Sequence, residues 1–334
     1  MVFGELRDDF LKSIGGLQIL RGVPVPVNEG GSGRISVKDI IMDMARVVGS
    51  DPGFLYAEKY ISYIRNVAAA TKTDAADMLV TEGARSADAG DYEDACMLFR
   101  AALRFDPKNR SAMYLYARSC KACSETAAEN EAGEPTQEGE EYIGKFKAES
   151  LEMFELLTMM HPDFAMGYYF LGYGYLNLGL YLKAKLTWED FLRLSSSAEE
   201  NDSPEMDENQ LDDLRHEISG MLLDLEEPVR IEEGCNLIMS GDYQGGMDIL
   251  NDFREGRYEN WWPLWYYLGV AESSLGHPGE AAECYKRVLR LSPSNTDAME
   301  ELAAIYALSG DEINAAKYRN KIKIVKQNQM LDSE

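Results

Sequence analysis

Residues 262–295, WPLWYYLGVAESSLGHPGEAAECYKRVLRLSPSN, constrain the chain more than any other stretch. They read as two amphipathic helices joined by the tight turn Leu275-Gly276-His277-Pro278-Gly279. Pro293 ends the second helix, because proline lacks an amide hydrogen and clashes with the preceding turn. Gly269 and Ala281 lack bulk where the helices approach most closely, and Trp265, Leu268 and Tyr285 are large where the pair must fill space. One such pair cannot bury its apolar face alone, so it demands neighbours of the same kind.

Those neighbours recur along the chain. Residues 76–109 carry Leu79 and Gly83, the turn Gly90-Asp91-Tyr92, then Ala95, Phe99, Ala102 and a closing Pro107. Residues 110–164 open with Met113, Tyr116 and Ala117, but the second helix comes late, with Phe154 and Leu157 before Pro162. Ser124 to Glu141 lies between, with seven acids and no bases, and reads as a mobile acidic insertion in the turn. Residues 165–198 carry Tyr168, Leu171, Gly172, Tyr175, Ala184, Trp188 and Leu192. A second acidic stretch, Glu199 to Asp213, reads as a loop, mobile over Glu199 to Asp207, running into a helix near Leu211 to Leu225. Residues 227–260 form a degenerate unit with Gly234, Leu237, Gly246, Leu250 and Phe253. Residues 296–329 keep Leu302, Ala303, Tyr306 and Ala315 but place Arg319 in an aromatic slot, as suits the polar end of an array.

The string W-x2-L-G, then A-x3-Y, then P in about 34 residues resembles the tetratricopeptide repeat (TPR). The resemblance covers six units and implies an all-α fold: an α-solenoid, a right-handed superhelix of about six helix pairs. Residues 1–74 do not fit it. A short helix is expected over Val2 to Ile14, an extended stretch over Leu17 to Val27, and helices after Ser36 and Asp51-Pro52. This region is expected to be a helical cap with a short hairpin or loop, and 75–334 the repeat domain.

The resemblance further implies a non-catalytic scaffold that binds a protein or peptide segment in a concave groove. Groove-facing residues lie three before, one after, and four or five after the small residue of each first helix. They are Tyr114, Arg118 and Lys121 in the second unit, Tyr169, Tyr173 and Asn177 in the third, and Tyr266, Val270 and Ser273 in the fifth. The first unit presents Val80, Ala84 and Asp88, and the fourth Ile231, Cys235 and Met239. This departs from adaptors that hold a C-terminal carboxylate with Lys, Arg and Asn on successive helices.

Charge and spacing exclude most other chemistry. At a formal charge of −25 the chain repels phosphate backbones and anionic lipid, so neither nucleic acid nor a membrane is expected as partner. Acids near the N-terminus do not suit a signal peptide, and five irregularly spaced cysteines suit reduced thiols in a cytoplasm. The Gly139 to Lys145 spacing mimics a phosphate loop, but Phe146 stands where Ser or Thr should hold magnesium. Cys120 and Cys123 share a helix face and have no matching second pair, and His161, His216 and His277 are scattered. No catalytic residue, metal or cofactor is therefore expected. The alternative function is a self-associating scaffold, a homo-oligomer built on the fourth unit or the last helix. An enzyme housed in residues 1–74 is weakest, since that region has no His and no Cys.

Overall fold

The computed structural model describes residues 2–5, 20–27, 36–51, 53–130, 136–196 and 208–331. They form two compact units, Met1–Gly174 with Glu189–Met206, and Tyr175–Trp188 with Asp207–Glu334. Among the described residues the fold is all-helical apart from one two-stranded ribbon.

In the first unit, β1 (Val2–Glu5) pairs antiparallel with β2 (Pro24–Val27), Val2 opposite Val27. Helices α1 (Val37–Ser50) and α2 (Ala57–Thr71) follow. Ser36 and Asp39 close the capping box that their spacing implies, which satisfies amide donors at the start of α1. The first helix pair is α3 (Ala75–Asp88) and α4 (Tyr92–Phe105), and the second is α5 (Arg110–Asn130) and α6 (Gln137–Met160). Ile40, Met44, Val48, Tyr60, Ile64, Leu79 and Leu98 share one core, so the N-terminal helices are packed onto the first pair. Arg46 on α1 also reaches Asp94 on α4 with two nitrogens, and Ser86 donates to the same carboxylate at 2.7 Å. Burial pushes the Asp94 carboxyl up, but these bonds and the Arg46 charge outweigh it and leave it below the usual range.

Helices α7 (Ala165–Asn177) and α8 (Tyr181–Ser195) divide between the units. In the second unit, the Glu232 carboxylate accepts from the Leu182 amide at 2.8 Å near the start of α8. Next come α9 (Glu208–Asp224), then α10 (Glu226–Ser240) with the short α11 (Tyr243–Leu250) and a 3-10 turn, Asn251–Phe253. The last pairs are α12 (Trp262–Ser274) with α13 (Pro278–Leu291), and α14 (Thr296–Leu308) with α15 (Glu312–Leu331).

Two local devices repeat. A Cβ built on Gly269 would sit 2.8 Å from the Tyr285 ring, and one on Gly83 would sit 2.7 Å from the Phe99 ring. The small residue of the first helix therefore receives the aromatic of the second, as the sequence pattern requires. The turns are equally regular. Gly90, Gly179, Gly241, Gly276 and Gly310 have φ between 71° and 95°, and the next amide reaches back to close each first helix. Asp91 to Ser86, Asp242 to Leu237 and His277 to Glu272 each span 2.9 Å, the pattern of a left-handed helix stop.

Three expectations need comment. Val2–Glu5 is strand, not the start of a helix over Val2 to Ile14; residues 6–14 lie outside the described residues. Long-range contact decides the point, because Phe3 stacks on Phe54 at 5.7 Å. The expected acidic insertion is also corrected. Ser124–Asn130 and Gln137–Glu141 are helical extensions of α5 and α6, and only 131–135 are undescribed. Cys123 and Phe146 are buried against α4 at the base of the arms, while Glu125, Glu129, Glu138 and Glu141 face solvent. Beyond Ser124 the described arms are exposed or half-buried, so the acids sit on helix that extends past the core. The other stretch expected to be mobile, Glu199 to Asp207, lies outside the described residues.

Candidate functional site

Within the first unit, residues expected to face a groove converge around one cation. Tyr114 on α5 meets Phe164 edge-on at 5.2 Å and Phe170 on α7 at 6.0 Å. Arg118, four residues on, is exposed and lies over both Tyr114 and Phe170, 5.4 and 5.5 Å from their ring centres. Among the described residues no carboxylate pairs with Arg118. Tyr169 and Tyr173, one turn apart on α7, contact each other edge-on at 5.3 Å. Tyr169 also meets Phe170 at 5.0 Å and Phe191 at 5.4 Å. All three tyrosines are half-buried.

Phe170 links these residues and was not singled out in the sequence. It stacks flat on Phe154 of α6 at 5.4 Å, interplanar angle 10°. The signal was present in the run Tyr168-Tyr169-Phe170, where helical spacing alone does not say which ring points to the neighbouring pair. A guanidinium stacked on aromatic faces is held in place while its nitrogens stay available to an anion.

The remaining expected residues do not join this cluster. Lys121 is bonded to Glu125 one turn along its own helix, so Arg118 alone supplies the unpaired positive charge. Asn177 is exposed at the end of α7 and belongs to the second unit. Tyr266, also in the second unit, meets Tyr285 at 5.7 Å and Trp262 at 6.4 Å. Its hydroxyl is pushed above the ordinary tyrosine range first by burial, then by the charges of Glu301 and Asp297.

The motifs that suggest phosphate and thiol chemistry are packed into helices. Gly139 to Lys145 lies inside the continuous helix α6. Cys120 and Cys123 pack against Cys96 of α4, with Cys96 and Cys120 sulfurs 3.6 Å apart and all three buried. Bonds from the neighbouring thiols and burial push the Cys96 thiol up, away from the nucleophilic thiolate. Among the described residues no three His, Cys, Asp or Glu side chains are placed to hold a metal ion. Likewise, no described helix is long and apolar enough to cross a membrane.

The helix hairpins, their small-against-aromatic contacts and their glycine stops define a helical repeat protein. The sequence pattern of the tetratricopeptide repeat matches residues 262–295, the α12–α13 pair with its flanks. Residues 262–295 are therefore a tetratricopeptide repeat. No curated protein sequence matches the chain. Among solved structures it is similar to the P58(IPK) TPR domain, at 20% identity over 77% of this chain and 66% of that one, TM-score 0.36. It is also similar to MamA from Desulfovibrio magneticus RS-1, at 12% identity over 76% and 96%, TM-score 0.27. YrrB, described as a TPR protein with an unusual peptide-binding site, shares 16% identity over 70% and 94%, TM-score 0.29. With TM-scores this low the likenesses decide nothing further about this chain.

Proposed function

We propose that this protein is a non-catalytic, cytoplasmic adaptor whose first unit binds a peptide or protein segment through Tyr114, Arg118, Tyr169 and Tyr173. The observation that carries this reading is Arg118, an exposed guanidinium stacked on Tyr114 and Phe170 with no described carboxylate partner. Tyr and Arg are the residue types that anchor interfaces, and rigid aromatics lose little freedom on binding. The complementary partner carries one acidic group beside an aromatic or aliphatic side chain. A partner acidic throughout is disfavoured by the chain's charge of −25. The test is calorimetry on a partner recovered by pull-down with the full chain. Tyr173→Ala is expected to cost about 1–3 kcal/mol of binding with the helical circular dichroism unchanged. Unaltered affinity in this variant and in Arg118→Glu, both folded, would move the site elsewhere.

Self-association is a second reading. Leu308 and Ile313, flanking the α14–α15 turn, are 90% and 84% exposed. Light scattering decides it: a monomer at all concentrations removes this reading.

A further inference from the structure

The second unit holds a charged cleft that the repeat pattern does not call for. Helix α11 has 8 residues, whereas α4 and α13 have 14 each. After it the chain runs through the 3-10 turn and a loop to Trp261. Between that segment and the α12–α13 pair lies a cleft of about 480 Å³. Arg254, Arg287 and Arg290 line it around Trp265. The guanidiniums of Arg254 and Arg287 each lie over the Trp265 ring, 5.7 Å from its centre. Trp265 is itself fixed, its indole N–H donating to the Glu259 carbonyl at 2.8 Å.

The cations are short of partners. The Nε atoms of Arg254 and Arg287 are buried with no hydrogen-bond acceptor. Arg287 otherwise donates only a long 3.3 Å bond to Asn260, and Arg254 stands 3.9 Å from Glu272. The acids of the cleft are better served. Glu272 lies 2.9 Å from His277 Nδ1, and Glu283 accepts from Lys286 at 2.8 Å. Among the described residues no carboxylate comes nearer than 3.9 Å to any of the three arginines, so their terminal nitrogens are left to an acceptor entering the cleft.

The geometry points to a binding site for one carboxylate, an acidic side chain of a peptide segment, held by Arg254, Arg287 and Arg290. Guanidinium forks match a carboxylate in two parallel bonds. Glu272, Glu280 and Glu283 share the cleft with the three arginines, so formal charge nearly cancels and a dianion gains no advantage over a monoanion. The volume suits a side chain with its neighbours. This site uses no residue of the Tyr114 to Tyr173 surface, and neither depends on the other.

The indole N–H of Trp265 reports the test. In the full-length protein its amide-region NMR signal is assigned with Trp265→Phe and followed during titration. The probes are Ac-Ala-Leu-Asp-Ala-NH2, the same peptide with Asn for Asp, and inorganic phosphate, all at one ionic strength. The Asp peptide is expected to move the signal saturably and the Asn peptide to leave it in place. Arg290→Gln, at an exposed position, is expected to weaken the Asp peptide about tenfold. Arg287→Lys, which keeps charge but loses the fork, is expected to weaken it too. Arg118→Glu is expected to change nothing here, which separates this site from the proposed groove. The assignment is overturned by no saturable shift, by equal shifts from Asp and Asn peptides, by tighter binding of phosphate, or by an undiminished response in Arg290→Gln.

Discussion

Tyr169 and Tyr266 occupy the same register, three residues before Gly172 and Gly269, yet their surroundings have opposite sign. Tyr169 abuts Phe170, over which Arg118 lies with no described carboxylate. Tyr266 lies near Glu301, Asp297 and Glu300, whose charges add to burial in holding its hydroxyl above the ordinary range. The helix-pair packing sets where a tyrosine stands; the residues between the packing positions set what it can receive. One scaffold thus places an arginine near one such tyrosine and acids near the other.

The comparison assumes that both surfaces hang on the same kind of hairpin. Phe99→Ala and Tyr285→Ala remove the aromatic that fills the glycine notch of each. Each is expected to lose about 3–5 kcal/mol of stability in urea unfolding; a tolerant site would show that the two hairpins are not built alike. Arg118→Glu should next convert the first surface to the sign of the second. A loss of about 1–3 kcal/mol of binding, with a flatter salt dependence, would support the contrast. Glu301→Gln should move the second surface toward the first, lowering the Tyr266 pKa without restoring it fully, since burial is the larger cause. The sign for stability follows. The raised folded value favours the neutral phenol, so its contribution is complete below about pH 10 and is lost as pH rises through the folded pKa. Carbon-13 labelling of tyrosine ring carbons measures this, and an unmoved Tyr266 would remove the electrostatic half of the contrast. The smallest effect belongs to Lys121→Ala, which breaks an exposed pair with Glu125 and should cost under about 0.5 kcal/mol and little binding. A large binding loss there would make Lys121, and not Arg118 alone, the cation of the first surface.

Much of the fold could be read from spacing. Gly83, Gly269, Phe99 and Tyr285 announce their pairings because a helix period of 3.6 places bulk opposite absence of bulk. What escaped reading depends on contacts far apart in sequence. Val2 to Glu5 has helical spacing, but its pairing with Pro24–Val27 and the stacking of Phe3 on Phe54 make it a strand. Ser124 to Glu141 resembles a linker in its acidic composition, whereas its described parts continue two helices that Cys123 and Phe146 anchor at their base. Of the candidate site, the tyrosines and Arg118 were legible from register; Phe170 and the pairing of Lys121 with Glu125 were not, since one register fits several rotamers.

The glycine stops bear on how the chain reaches this structure. Each bond such as Asp242 to Leu237 ties residues five apart, and the helices that it joins are neighbours in sequence. Little chain entropy is spent closing so short a loop, and topologies dominated by such local contacts fold fast. Nucleation can begin in more than one hairpin and spread to its neighbours. The ribbon of β1 and β2 is different, because Val2 must find Val27 across a longer span. Ribbon formation is therefore expected to trail the hairpins, and deuterium pulse labelling during refolding should protect the Gly269 region before the Val25 amide.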